Sequence, residues 1–160
     1  MSLPVINLIG DIDEDMLTSF SEALRSTDSK KIQIQLHSAG GDAHAALAIV
    51  SLMRLSKRYI TVIGMGYVAS AATLILAAGN KRLLTQESWV MVHEDSGEVS
   101  GSVSNLEAEV RQLRRMENQW NNLLEHYTGT KATEWDHIHL NDTYLTPQEC
   151  LDLGLIDEIV

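Results

Sequence analysis

The chain has 160 residues, a formal net charge of −10, 44% hydrophobic and 21% charged residues, which suits one soluble domain spanning residues 1–160. The acidic balance argues against a nucleic-acid binder, because its basic pairs at 30–31, 57–58, 81–82 and 114–115 are short and scattered. The apolar run from Ala69 to Ala78 is too short for a bilayer, no signal-peptide pattern opens the chain, and the single cysteine, Cys150, excludes an internal disulfide framework, so a cytoplasmic protein without membrane contact is expected.

Strand and helix patterns alternate from the start. "PVINLI" (4–9) reads as a strand. Asp13 then caps a helix whose Met16, Leu17, Phe20 and Leu24 recur at helical spacing. "IQIQLH" (32–37) alternates as a half-buried strand does, "SAGGD" makes a tight turn, and an Ala-rich helix runs to about Lys57. "YITVIGMG" (59–66) is a near-continuous apolar run, the pattern of a strand covered on both faces. A helix follows in "GYVASAATLILAAG" with Gly79 as its C-cap, then short strands in "RLLT" and "WVMVH". Residues 94–103 are polar and loop-like, with room for a short strand. A long helix over 104–127 carries Leu106, Val110, Leu113, Met116, Trp120, Leu123, Leu124 and Tyr127 along one face. A short helix covers about 131–137, "TPQE" is a capping box with Pro at the first helical position, and "LIDEIV" is a last strand. Repeated βα units predict an α/β domain with parallel strands.

In such a domain ligands sit at the turns that follow the strands. Gly40 and Gly41 of "SAGGD" let backbone approach a ligand closely and turn N–H groups outward. Ser70 is expected at or near a helix N-terminus, where free N–H groups favour developing negative charge. With the Gly41 and Ala71 N–H groups nearby it would have two oxyanion donors. A nucleophilic serine needs a base, and His93, at the end of its strand, can emerge at the mouth of the site. His37 abuts the glycine turn as a supporting residue, and His44 and His126 read as helix residues. "HIH" at 137–139 looks like a metal pair, but no Cys or carboxylate cluster at ligand spacing accompanies it, so neither a metal nor a cofactor is expected. The "G-x-S-x-G" elbow of the α/β-hydrolases is absent.

Four segments in order, "HSAGGDAHAALAIVSLM", "GMGYVASAATLILAAGNKR", "ESWVMVHE" and "NDTYLTPQECLDLGLIDEIV", resemble the proteolytic subunit of the Clp protease, ClpP, over nearly the whole chain from about Val5. The resemblance implies the ClpP/crotonase-like fold of repeated βα units with a protruding handle helix at 104–127. It implies a serine endopeptidase acting on peptides or unfolded polypeptide inside a self-compartmentalised assembly of stacked seven-membered rings. Residue by residue it sets Ser70 on the nucleophile, His93 on the general base, Asp142 on the residue orienting the histidine, and Gly41 and Ala71 on the oxyanion donors. Asp142 rests on the resemblance alone. Ala39 stands where a proline usually precedes the glycines, and Ala71-Ala72 where Met-Gly is usual. The family's Gln-Pro and glycine-rich substrate-pairing strand are replaced after His93 by "EDSGEVSG", so Glu94 and Asp95 become candidate substrate contacts that either favour basic peptides or act electrostatically on His93; Gly40 is a further candidate substrate contact. An ATP-driven AAA+ unfoldase is the implied partner, although the family's axial gating segment and extra helix have no counterpart ahead of Pro4. Three other readings share features: a phage head-maturation protease of the same fold, a crotonase-like acyl-CoA enzyme using "SAGGD" as its oxyanion turn, and a non-catalytic ring subunit.

Overall fold

A computed structural model describes residues 3–94 and 100–160. Its central strands are β1 (Val5–Ile9), β2 (Lys31–Ser38) and β3 (Tyr59–Ala69), paired in parallel in that order. β4 (Lys81–Leu84) extends the sheet beside the first half of β3, and β7 (Glu158–Ile159) pairs with β4. β5 (Trp89–Val92) lies parallel to the second half of β3, and β6 (Thr143–Leu145) pairs antiparallel with β5. The helices are α1 (Glu14–Arg25), α2 (Ala43–Leu55), α3 (Ala72–Ala77), α4 (Val103–Thr128), α5 (Ala132–His139) and α6 (Pro147–Asp152). The alternation of βα units and the parallel pairing agree with the α/β fold expected from sequence.

The sheet buries one face. Ile6 and Leu8 of β1, Ile32, Ile34 and Leu36 of β2, and Ile60 and Val62 of β3 share a core with Phe20, Ile49 and the wholly buried α3. The opposite face of β3 is only half-buried, so the expectation of a strand covered on both faces is corrected. Its continuous apolar run arises because Ile63 and Met65 occupy the less covered positions. Local signals define the ends: Asp13 and Asp42 accept N–H bonds from the first turns of α1 and α2, and Thr146 and Glu149 close the expected capping box on α6. The C-cap of α3 is Ala78 rather than Gly79.

β3 does not stop at Gly66 as its sequence suggests; it runs three residues further. It does so through a bulge. Gly64 pairs with Leu36 and Val68 with Ser38, so four steps on β3 match two on β2. His37 fills the gap: its Nδ1 is 2.9 Å from the Met65 carbonyl and 3.3 Å from the Tyr67 amide, and Gly66 turns with φ +65°. Beyond the bulge β3 remains paired with β2 at Val68, while its other edge, bonded to β4 over Thr61–Gly64, pairs with β5 over Tyr67–Ala69. That is how the residue after β3 comes to lie beside the end of β5.

Arg82 fastens the far edge. Its guanidinium donates to the carboxylate of Asp157 and to the Tyr127 and Gly154 carbonyls, joining β4 to the end of α4 and the turn before β7. Arg82 hydrogen bonding holds the Asp157 carboxyl below its ordinary value. A carboxyl lowered on folding stabilises the fold above its unfolded pKa, and the contribution is lost as pH falls through the folded value. Asp157→Asn should therefore cost about 1–3 kcal/mol at pH 7. The gap to wild type should close below about pH 4; urea melts at both pH values measure it.

Candidate active site

Ser70 occupies the single-residue hinge between the end of β3 and the cap of α3. Its φ of +52° is a region that serine rarely adopts, and the cost is carried by fixed partners on both sides. The Ser70 N–H donates to the Met91 carbonyl at 2.8 Å, and the Ser70 carbonyl accepts from the amide and hydroxyl of Thr73 at 3.0 and 2.7 Å. The helix N-cap is Ala71, so Ser70 stands ahead of the helix and is not its cap.

His93 follows the last residue of β5, as its place in "WVMVH" suggests. Its Nε2 is 2.8 Å from the Ser70 Oγ. In the tautomer with Nδ1 protonated, the hydroxyl donates and the imidazole accepts, the arrangement in which histidine can take the serine proton. Both side chains are half-buried, which leaves the oxygen reachable from one side.

The glycine turn comes up against this pair. Gly40 has φ +106°, and a side chain there would put its Cβ 2.7 Å from the Ser70 Cβ and 3.0 Å from the Ala69 carbonyl. Gly40 is thus a packing partner of Ser70, and no larger residue fits. Buried Ser38 holds the turn by accepting the Gly40 N–H at 3.0 Å. A one-residue bridge to Ile12 uses the Gly40 carbonyl and the Asp42 N–H, which turns the intervening Gly41 N–H away from Ile12. Gly41, Ala71, Ser70 and His93 line one pocket.

Among the described residues no hydrogen bond or ion pair joins Asp142 to His93. Asp142 is exposed and immediately precedes β6. The last pair of the β5–β6 ladder is Val92 with Thr143, so one more pair in the same register would set His93 opposite Asp142. Its charge is felt at Tyr67, whose hydroxyl is held above its ordinary value first by burial, then by Tyr144, and then by Asp142. Glu94 is exposed and lines the pocket beside Ser70; Asp95 lies outside the described residues.

Other sequence candidates separate from the site. His37 supports the bulge rather than the turn, and His44 and His126 are exposed on α2 and α4. His137 and His139 lie on different sides of α5, one exposed and the other buried against Trp135. Cys150 is a core residue whose thiol burial pushes up to about 12, well away from thiolate chemistry at neutral pH. Among the described residues no helix is long and apolar enough to cross a membrane.

Sequence reasoning missed the pocket's other wall, Glu117, Trp120 and Asn121 of α4 and His139 of α5. The signal was present: 113, 116, 117, 120, 121 and 124 form the inward stripe of α4, and Glu117 and Asn121 break it four residues apart.

Comparison with known proteins agrees with this architecture. The family model described as Clp protease matches residues 4–160. Proteins named ATP-dependent Clp protease proteolytic subunit from three strains of Dehalococcoides mccartyi are each 33% identical to this chain over 138 residues, covering 85% of it and 69% of their own length. A serine and a histidine in hydrogen-bond contact at the ends of two adjacent parallel strands, in a chain matched by that model almost throughout, make this protein a member of the Clp protease family of serine peptidases.

Proposed function

We propose that the chain is a serine endopeptidase subunit that cleaves peptides or unfolded polypeptide through Ser70, His93 and Asp142, with the Gly41 and Ala71 N–H groups as oxyanion donors. The 2.8 Å contact between His93 Nε2 and Ser70 Oγ carries the reading. As Ser70 attacks the peptide carbonyl, His93 takes the hydroxyl proton. The carbonyl oxygen becomes an oxyanion in front of the two amides, and preorganised donors of this kind are each worth about 10²–10³ in rate. His93 then protonates the leaving amine, and water activated by the same imidazole releases the acyl group. Asp142 orients His93 once the β5–β6 ladder gains its next pair, which fixes the Nδ1-protonated tautomer and offsets the imidazolium charge.

Ser70→Ala should cut kcat/KM on small fluorogenic peptides by about 10⁵-fold or more. It should also abolish the covalent adduct with a fluorophosphonate probe seen by intact mass. Wild-type-like turnover by this variant would refute the assignment. Asp142→Asn should lower kcat by about 10²–10⁴-fold with little change in KM. An Asn variant at full kcat would remove Asp142 from the mechanism.

The same reading includes assembly into seven-membered rings stacked in pairs around a closed chamber. The N-terminal half of α4 supports it. Val103 and Val110 are 72% and 47% exposed and fall on one helix face with half-buried Leu106 and Leu113. The two buried residues of the helix, Asn121 and Leu124, lie near its other end. An apolar stripe without a core beneath it calls for a partner surface. Light scattering should give seven or fourteen times the 17.7 kDa subunit mass. A monomer at micromolar concentration would contradict this. The cytoplasm, an AAA+ unfoldase partner and delivery of unfolded polypeptide belong to the same proposal; adding such an ATPase to a casein digest tests the last two.

A further inference from the structure

Two residues of the strand that carries the nucleophile lie outside every ladder. The registers that join β3 to β2, β4 and β5 all skip Met65 and Gly66, a few residues before Ser70. A side chain holds this stretch instead. His37 Nδ1 is 2.9 Å from the Met65 carbonyl oxygen and 3.3 Å from the Tyr67 nitrogen. Gly66 turns between them at φ +65°, and a Cβ there would come within 3.2 Å of the same ring nitrogen, so the bulge is wrapped closely about the imidazole. One nitrogen thus faces both an acceptor and a donor. Protonated, it donates to the Met65 carbonyl; bare, it accepts from the Tyr67 N–H. The same end of β2 also holds the glycine turn. The His37 carbonyl accepts the Gly10 N–H at 3.0 Å, and the hydroxyl of Ser38 accepts the Gly40 N–H at 3.0 Å. Of two adjacent residues, one grips the strand that leads to Ser70 and the other the turn that leads to the Gly41 amide.

We propose that His37 is a positioning residue for the peptidase reaction: by bridging Met65 and Tyr67 it sets where β3 delivers Ser70 against His93 and the glycine turn. The inference rests on the serine-peptidase reading and adds to it a residue that does not line the pocket at Ser70. The tolerance at the site is small. The His93 Nε2 to Ser70 Oγ contact is 2.8 Å, and the glycine turn runs so close that a Cβ at Gly40 would lie 2.7 Å from the Ser70 Cβ. A misplacement of about 1 Å, even from a change remote from the chemistry, costs about 10²-fold in rate. What the bulge asks of residue 37 is hydrogen-bonding capacity: a donor for the Met65 carbonyl and an acceptor for the Tyr67 N–H. A carboxamide carries one of each, attached to the same Cγ position as the imidazole nitrogen, so asparagine meets the requirement. Leucine branches at the same position and offers neither.

The test compares His37→Asn, His37→Leu and His37→Ala with wild type on one fluorogenic peptide, with kcat and KM separated. The rate of Ser70 labelling by a fluorophosphonate is followed alongside, and kcat is expressed per serine labelled at completion, so that loss of folded protein lowers the titre and not the rate per site. His37→Asn should keep kcat within about three-fold of wild type. His37→Leu and His37→Ala should lower kcat and the labelling rate by about 10–10²-fold at nearly unchanged KM. Gln33→Ala, half-buried on the same face of β2 ahead of the bulge, should leave both rates as in wild type. Asparagine and leucine are close in size, so their comparison decides the matter even where the alanine variant does not fold. Equal kcat per site in the Asn and Leu variants, a Leu variant that loses only titre, or a loss confined to KM overturns the inference and leaves the peptidase reading intact. A wild type that neither hydrolyses peptide nor takes the label overturns the serine-peptidase reading and this inference with it.

Discussion

The geometry of the site depends on holding one serine in a backbone conformation it would not choose. At φ +52° Ser70 ends β3 abruptly, and its side chain is thrown toward the end of β5 instead of continuing the strand's alternation. Strain of this kind, about 1–3 kcal/mol, persists only where surroundings over-determine the residue. Here the Met91 carbonyl fixes one side, Thr73 fixes the other, and the glycine turn runs so close that a Cβ at Gly40 would collide with the Ser70 Cβ. The neighbours that hold the strain are also the neighbours that build the site: Met91 is two residues before His93, and Gly40 adjoins the Gly41 amide.

The bulge at Met65–Tyr67 makes that arrangement reachable. A parallel strand bonded along its whole length to β2 and β4 would carry Ser70 away from β5. By spending two extra residues against His37, β3 changes partners midway, and its last three residues pair with Trp89, Val90 and Met91. Nucleophile and base then belong to strands in register, so their separation is set by backbone hydrogen bonds and not by a loop. Asp142 has a weaker hold, since its ladder ends one pair short of it and its carboxylate faces solvent. The three residues of the proposed triad thus differ in how firmly the fold positions them, in the order Ser70, His93, Asp142.

Ser70 and His93 were legible in sequence because each sits at a strand end next to small residues, where local pattern and chemistry coincide. The helices were legible from caps and 3.6-residue spacing, and α4 was found to within a residue or so at either end. What could not be read was non-local. The extension of β3 past Gly66 depends on His37, nearly thirty residues earlier. β6, three residues long, exists through its pairing with β5, and nothing in "TYL" marks it as a strand by itself. Asp142 needed the family resemblance because one acid among 22 has no local distinction. Glu117 and Asn121 were visible as interruptions of an apolar stripe, but such interruptions acquire meaning only when the helix is known to face a pocket.

α4 carries two different surfaces along one rigid axis, and this bears on how the site works as a unit. Its C-terminal half, ended by Gly129 at φ +80° and tied by Arg82 to the Tyr127 carbonyl, forms the pocket wall opposite Ser70. Its N-terminal half is mostly exposed and apolar on one side. A helix transmits displacement along its length because every turn is hydrogen-bonded to the next. A partner packed on Val103 and Val110, as the proposed assembly requires, would therefore constrain the angle at which Glu117 and Trp120 meet the pocket. Assembly and the shape of the pocket beside Ser70 would then be coupled through one element without any contact between the partner surface and the reacting atoms.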